Sequence, residues 1–152
     1  MIVGSRQGRL AYPVPVGLDP ATDYPLGTRR ADLVRTPSGL GLESVTLPAA
    51  RAGELAAADA RATAETLGLQ AEIARAVGRA QLADGLERAS ELANVPDDEL
   101  LEIYTALRPG RSSPAELEAW AERLDGHGAS RTAAFVREAA AVYVARGLVV
   151  DG

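Results

Sequence analysis

From Thr63 onward the apolar residues recur at helical spacing, and the recurrence breaks at residues that end helices. Leu69, Ile73 and Val77 fall on one face. Thr63 precedes them as an N-cap, and Glu65 sits near the positive end of the helix dipole. Gly78 marks a break, after which Leu82, Leu86, Ala89 and Ala93 continue the pattern as far as Asn94. Val95-Pro96-Asp97-Asp98-Glu99 opens the next helix, with proline and acids where the first turn favours them. Its apolar stripe is Leu100, Ile103, Tyr104 and Leu107, and Pro109-Gly110 ends it. Ser113-Pro114-Ala115-Glu116 spells a capping box for a helix carrying Leu117, Trp120 and Leu124, which stops at Gly126-His127-Gly128. A last helix runs from about Ser130 to Arg146, with Val136, Ala139, Ala140 and Tyr143 on one side, Phe135 and Val142 widening that face, and Gly147 as its cap.

Upstream the pattern changes. Thr46 and Pro48 start a short helix that stops at Gly53, and a second short helical stretch covers Leu55–Ala60. Residues 1–45 hold five prolines (Pro13, Pro15, Pro20, Pro25, Pro37) and six glycines, and no helical period survives there. No segment alternates polar and apolar residues in the manner of a strand. The pattern therefore predicts an all-α protein: an irregular helical bundle over residues 46–152, behind an extended Pro/Gly-rich arm over residues 1–45, of which 1–22 are open to disorder. The arm is also rich in Tyr12, Val14, Tyr24, Leu26, Leu33 and Val34. A solvated linker is poorer in such residues, so the arm is expected to lie along a larger protein, the plainer reading being a flexible tail.

Composition narrows the function. Alanine dominates the helical part and aromatics are only 4% of the chain, so the core should be thin and completed by a partner surface. The 152 residues carry a net charge of −5, with the acids concentrated in the helical part, which argues against nucleic-acid binding. All basic residues are arginine, a sign of coding bias. There is no cysteine, hence no disulfide, thiolate metal site or cysteine nucleophile. No apolar run is long enough to span a membrane, and the first residues lack the layout of a secretory signal, so the expectation is a soluble, intracellular protein.

Reactive groups are few. His127, the only histidine, lies between two glycines in a turn and reads as a spectator. The acids at Asp97, Asp98, Glu99 and Glu102, and at Glu116, Glu118 and Glu122, are explained by capping and solvation. No phosphate loop or nucleophile elbow occurs. Arg108 and Arg111 flank Pro109-Gly110 just after Tyr104, and Arg137 follows Phe135; tyrosine beside arginine is the composition of interface hot spots, while a helix dipole alone would also favour Arg108.

Several segments carry a resemblance: Asp23-Tyr24-Pro25-Leu26; Glu65-Thr66-Leu67 with Leu69-Gln70-Ala71; Ala76-Val77-Gly78-Arg79; and Leu86-Glu87-Arg88-Ala89-Ser90-Glu91-Leu92. The most specific is Val95-Pro96-Asp97-Asp98-Glu99-Leu100-Leu101-Glu102-Ile103-Tyr104, continuing through Ala106-Leu107-Arg108-Pro109 and Arg111-Ser112, followed by Ala134-Phe135-Val136-Arg137-Glu138-Ala139-Ala140 and Tyr143. In this order, over about residues 23–146, the chain resembles the small subunit of adenosylcobalamin-dependent diol and glycerol dehydratases. It departs at residues 1–22, at Gly110 where the family carries an aromatic residue, at Ala64 where it carries proline, and in having no lysine.

The resemblance implies an accessory chain of a carbon–oxygen lyase that turns a 1,2-diol or glycerol into an aldehyde and water. It implies radical chemistry on a large subunit, with adenosylcobalamin and a cation held by partner subunits and none bound by this chain alone. The implied partners are the large and medium subunits, in a dimer of heterotrimers, with a reactivating factor as a further one. The expected contacts to the large subunit are Tyr24, Leu26, Tyr104, Arg108, Arg111, Phe135, Arg137 and Tyr143. The expected location is the bacterial cytoplasm, since residues 1–22 do not form the amphipathic helix of a microcompartment-targeting extension. A free-standing helical adaptor is the competing reading.

Overall fold

The computed structural model describes residues 17–150. Among them the regular structure is helical, and the only β pairing is a single bridge between Arg35 and Gly41. The all-α expectation is met.

Helices α4 (Ala64–Ala76) and α5 (Ala80–Leu92) form a hairpin. Thr63 caps α4, its hydroxyl accepting from the Thr66 amide at 3.2 Å. The turn between the helices needs Gly78 at φ +78°, a left-handed conformation that side chains with a Cβ resist. Leu69 and Ile73 are buried as their spacing predicts. Val77 and Leu82, expected on the same continuing face, are instead 53% and 49% exposed. The reason is register: Val77 caps α4 and Arg79 is non-helical, so α5 starts its own period and turns Ala83, not Leu82, inward. Ala71, Ala74 and Ala83 meet at this contact, with Leu86 beside them, and such small side chains let the helices approach closely.

The largest core lies further along. Helix α6 (Asp97–Ala106), α7 (Pro114–Gly126) and α8 (Ser130–Ala145) bury Ile103, Leu117, Ala121, Leu124, Ala133 and Val136, together with Val95 and Ala129 just ahead of α6 and α8. Both halves of the predicted capping box form at the start of α7: the Ser113 hydroxyl accepts from the Glu116 amide at 3.3 Å and Glu116 accepts from the Ser113 amide at 2.8 Å. Helix α8 has no side-chain cap of its own. Glu91 of α5 supplies one from forty residues away, accepting from the Arg131 amide at 3.1 Å and from the Thr132 amide and hydroxyl at 2.9 Å. One turn earlier on α5, Glu87 pairs with Arg75 of α4 and Arg131 of α8, so α5 ties the two parts of the body together.

The residues ahead of the body are less extended than expected. Residues 17–45 contain two single-turn helices, α1 (Pro20–Asp23) and α2 (Leu26–Arg29), and 3₁₀ turns at Ala31–Leu33 and Leu42–Ser44. Proline is tolerated in a first turn, so Pro20 starts α1 rather than forbidding it, and Asp19 caps it. Leu18 and Leu26 are buried against Leu69 and Ile73 of α4, with Leu33 and Val34 packed alongside. Glu72 of α4 holds the entry, accepting from the Gly17 and Leu18 amides at 3.2 and 3.1 Å. A short helix α3 (Leu47–Arg51), capped by Thr46, and a 3₁₀ turn at Ala57–Ala60 complete the connection to α4. The expected disorder of residues 1–22 falls mostly on residues 1–16, outside the described residues.

Candidate docking surface

Most of the acids singled out in the sequence have structural partners or positions, Glu102 and Glu122 being the exceptions among the described residues. Asp97, Asp98 and Glu99 fill the first turn of α6, where amide donors point outward. Asp97 also takes a bidentate pair from Arg61, at 3.0 and 2.5 Å, and Glu99 pairs with His127 Nε2 at 3.1 Å on the surface. The chain's lone imidazole is thus engaged by a carboxylate in an open position. No group of three or more metal-ligating side chains converges among the described residues.

One carboxylate is held differently from the rest. Asp59 is buried, accepting from the Ser38 amide at 3.2 Å and the Ala56 amide at 2.9 Å. The hydroxyls of Ser38 and Thr36 lead in holding it below the ordinary value of 3.8, at about 2. Its partners belong to the 36–40 loop and the turn before α4, so it fastens the leading segment to the body.

The eight residues expected to face a partner fall into three groups. Tyr104, Arg108 and Arg111 lie together at the C-terminal end of α6 and in the loop after it, all exposed, with Tyr104 at 61%. Leu101, missed by the apolar stripe drawn from the sequence, is the most exposed large apolar residue of the described chain at 70% and continues the Tyr104 ridge one turn back. Beside it runs a shallow groove of about 410 Å³, whose lining includes Leu101, Glu102, Thr105, Arg111, Ser112 and Trp120. Tyr24 is exposed at a second, larger groove of about 750 Å³ between α1–α2 and the α4–α5 hairpin, whose rim includes Val77, Arg79 and Leu82.

The remaining candidates are at least partly occupied within the chain. Leu26 is 5% exposed inside the cluster under α4, so its side chain is spent there. Tyr143 packs against the main core and donates its hydroxyl to the Leu107 carbonyl at 2.7 Å. Arg137 pairs with Glu118 at 2.8 Å and Asp125 at 2.9 Å, tying α8 to α7, and these pairings push its pKa further up. Phe135 is half exposed, with the Arg88 guanidinium 5.5 Å from its ring centre. Sequence reasoning missed Arg146 as well. It is the C-cap of α8, and a cation directly after a helix's last residue was the available signal.

Leu101 and Tyr104 thus form an exposed apolar ridge at one end of an all-helical chain, with exposed arginines close in sequence. The chain belongs to the dehydratase small subunit family, which matches residues 20–149. Among curated proteins it is similar to the propanediol dehydratase small subunit of Citrobacter freundii, 47% identical over 149 residues that cover 95% of this chain and 87% of the relative. It is also similar to the propanediol dehydratase small subunit of Salmonella typhimurium strain LT2, 48% identical over 126 residues that cover 82% of this chain and 73% of the relative.

Proposed function

We propose that this chain is the small, accessory subunit of a propane-1,2-diol dehydratase. The observation that carries this is its near-half identity, over most of both chains, to two propanediol dehydratase small subunits. On this reading a large and a medium subunit complete the enzyme, in a dimer of heterotrimers within the bacterial cytoplasm. Adenosylcobalamin and a cation belong to those partners, and a reactivating factor is a further contact. The dehydration of a diol to an aldehyde proceeds on the large subunit. This chain contributes docking area, and apolar burial of a few hundred Å² is worth several kcal/mol at about 25 cal/mol per Å², before the costs of association.

Co-expression with large and medium dehydratase chains tests the reading. This chain should co-purify with them, and aldehyde should form from propane-1,2-diol when adenosylcobalamin is added to the complex. Aldehyde formation by the isolated chain would overturn the accessory role. Within the complex, the Tyr104→Ala, Arg108→Ala double variant should lower capture of the large subunit about tenfold or more, consistent with the loss of hot-spot residues. Its helical circular dichroism should stay unchanged. Undiminished capture would place the interface elsewhere.

A further inference from the structure

The end of the molecule that carries Arg108 and Arg111 is assembled from two helix termini. The Tyr143 hydroxyl donates to the Leu107 carbonyl at 2.7 Å, the Gly110 amide donates to the Leu148 carbonyl at 2.7 Å, and the Val150 amide donates to the Ser112 carbonyl at 3.2 Å. These bonds lash the loop after α6 to the tail after α8. Three arginines consequently share one end: Arg108 just past α6, Arg111 in the loop, and Arg146 capping α8. All three are exposed, and none pairs with a carboxylate or lies over an aromatic ring among the described residues.

That pattern departs from Arg75, Arg131 and Arg137, which bridge helices through Asp84, Glu87, Glu118 and Asp125, and from Arg88 and Arg123, which cover Phe135 and Trp120; Arg51 and Arg79 are also unpaired among the described residues but lie singly elsewhere in the sequence. Helix dipoles account for one favourable cation at each terminus. They do not account for Arg111, which lies beyond the helix and lines the groove over Trp120. The chain as a whole carries a net charge of −5, and Glu102 lines the same groove as Arg111. Arginine presents a planar fork that binds carboxylates through two parallel hydrogen bonds, and the neighbouring Leu101 and Tyr104 supply the apolar centre of an interface.

Resting on the small-subunit reading above, we infer that this end docks on an acidic surface of the large dehydratase subunit. Carboxylates there seat on Arg108, Arg111 and Arg146, with Leu101 and Tyr104 packing beside them. The three arginines steer the encounter.

Association rates of the full-length chain with the purified large–medium complex, measured from about 50 to about 500 mM NaCl, provide the test. The wild-type rate should fall about tenfold or more across that range, and the Arg108→Glu, Arg111→Glu, Arg146→Glu variant should bind about a hundredfold more weakly. Because charge reversal at helix ends can unfold a chain, the milder Arg→Gln triple is measured beside it and should flatten the salt dependence while keeping wild-type circular dichroism. Reversal at Arg29, Arg35 and Arg51, also exposed and without carboxylate partners among the described residues, should change affinity less than about threefold. Wild-type affinity and an unchanged salt slope in the Gln triple would overturn the inference. So would capture of anionic phosphatidylglycerol vesicles through these arginines with no effect on subunit binding. If the wild-type chain fails to bind the complex at any salt, the small-subunit reading falls first and the inference with it.

Discussion

Leu124 and Asp59 show how differently single residues carry this fold. Leu124 has no exposed surface and touches the main core, so Leu124→Ala removes buried methyl groups and leaves a cavity. The expected cost is about 2–5 kcal/mol, read as a drop in the denaturant midpoint. Asp59 acts through charge. Its folded-state pKa of about 2 lies below the ordinary 3.8, so the stability it supplies is present above that ordinary value and is lost as pH falls toward about 2. Asp59→Asn should therefore lower the melting temperature at neutral pH and show a shallower further loss between about pH 4 and about pH 2; equal slopes for the two proteins would remove Asp59 from this role. Leu117 and Leu124 were legible from spacing alone. Ala83, Ala129 and Ala133, all fully buried, were not, because alanine is frequent on every face of these helices. The burial of Asp59 depends on donors from a loop twenty residues away, which no local pattern announces.

At the scale of elements, local signals marked helix starts and remote ones did not. Thr46, Thr63 and Ser113 all cap where their sequence contexts indicate, since a cap and its donor are three residues apart. The cap of α8 comes from Glu91 on α5, and sequence spacing carries no trace of it. Glu91→Ala should cost about 1–2 kcal/mol and speed hydrogen exchange of the Arg131 and Thr132 amides selectively. Uniform exchange along α8 in that variant would show that the cap does not set the helix's start. The stripe expected to run on from Leu69 and Ile73 to Ala93 is broken at Val77 and Leu82 for a related reason: a glycine turn resets helical phase, and each helix chooses its buried face against its own neighbours. The same effect concealed Leu101, which stands one position off the predicted stripe of α6 and is the most exposed large apolar residue.

At the scale of the whole molecule, the buried apolar side chains among the described residues form three separate clusters rather than one continuous core. The largest joins α6, α7 and α8; the one under α1 and α2 rests on four buried side chains. Native-state hydrogen exchange should accordingly find the amides of α7 and α8 among the slowest and those of α1 and α2 among the fastest, with binding of the large subunit slowing exchange at the C-terminal end of α6. Fold class and family were legible because helical periodicity is local and the Val95–Tyr104 segment is distinctive. The charged end was only half legible. Arg108 and Arg111 stood out beside Tyr104, but Arg146 joins them through backbone hydrogen bonds between segments more than thirty residues apart.

Those same bonds have a practical bearing on how the protein is handled. With Leu148 and Val150 stitched to the loop at Gly110 and Ser112, any reporter or affinity handle fused behind the last helix emerges next to the arginine-bearing end. A bulky or acidic handle there would shield the very charges whose contribution is being measured, and a capture experiment built on it would report on the handle instead of the subunit.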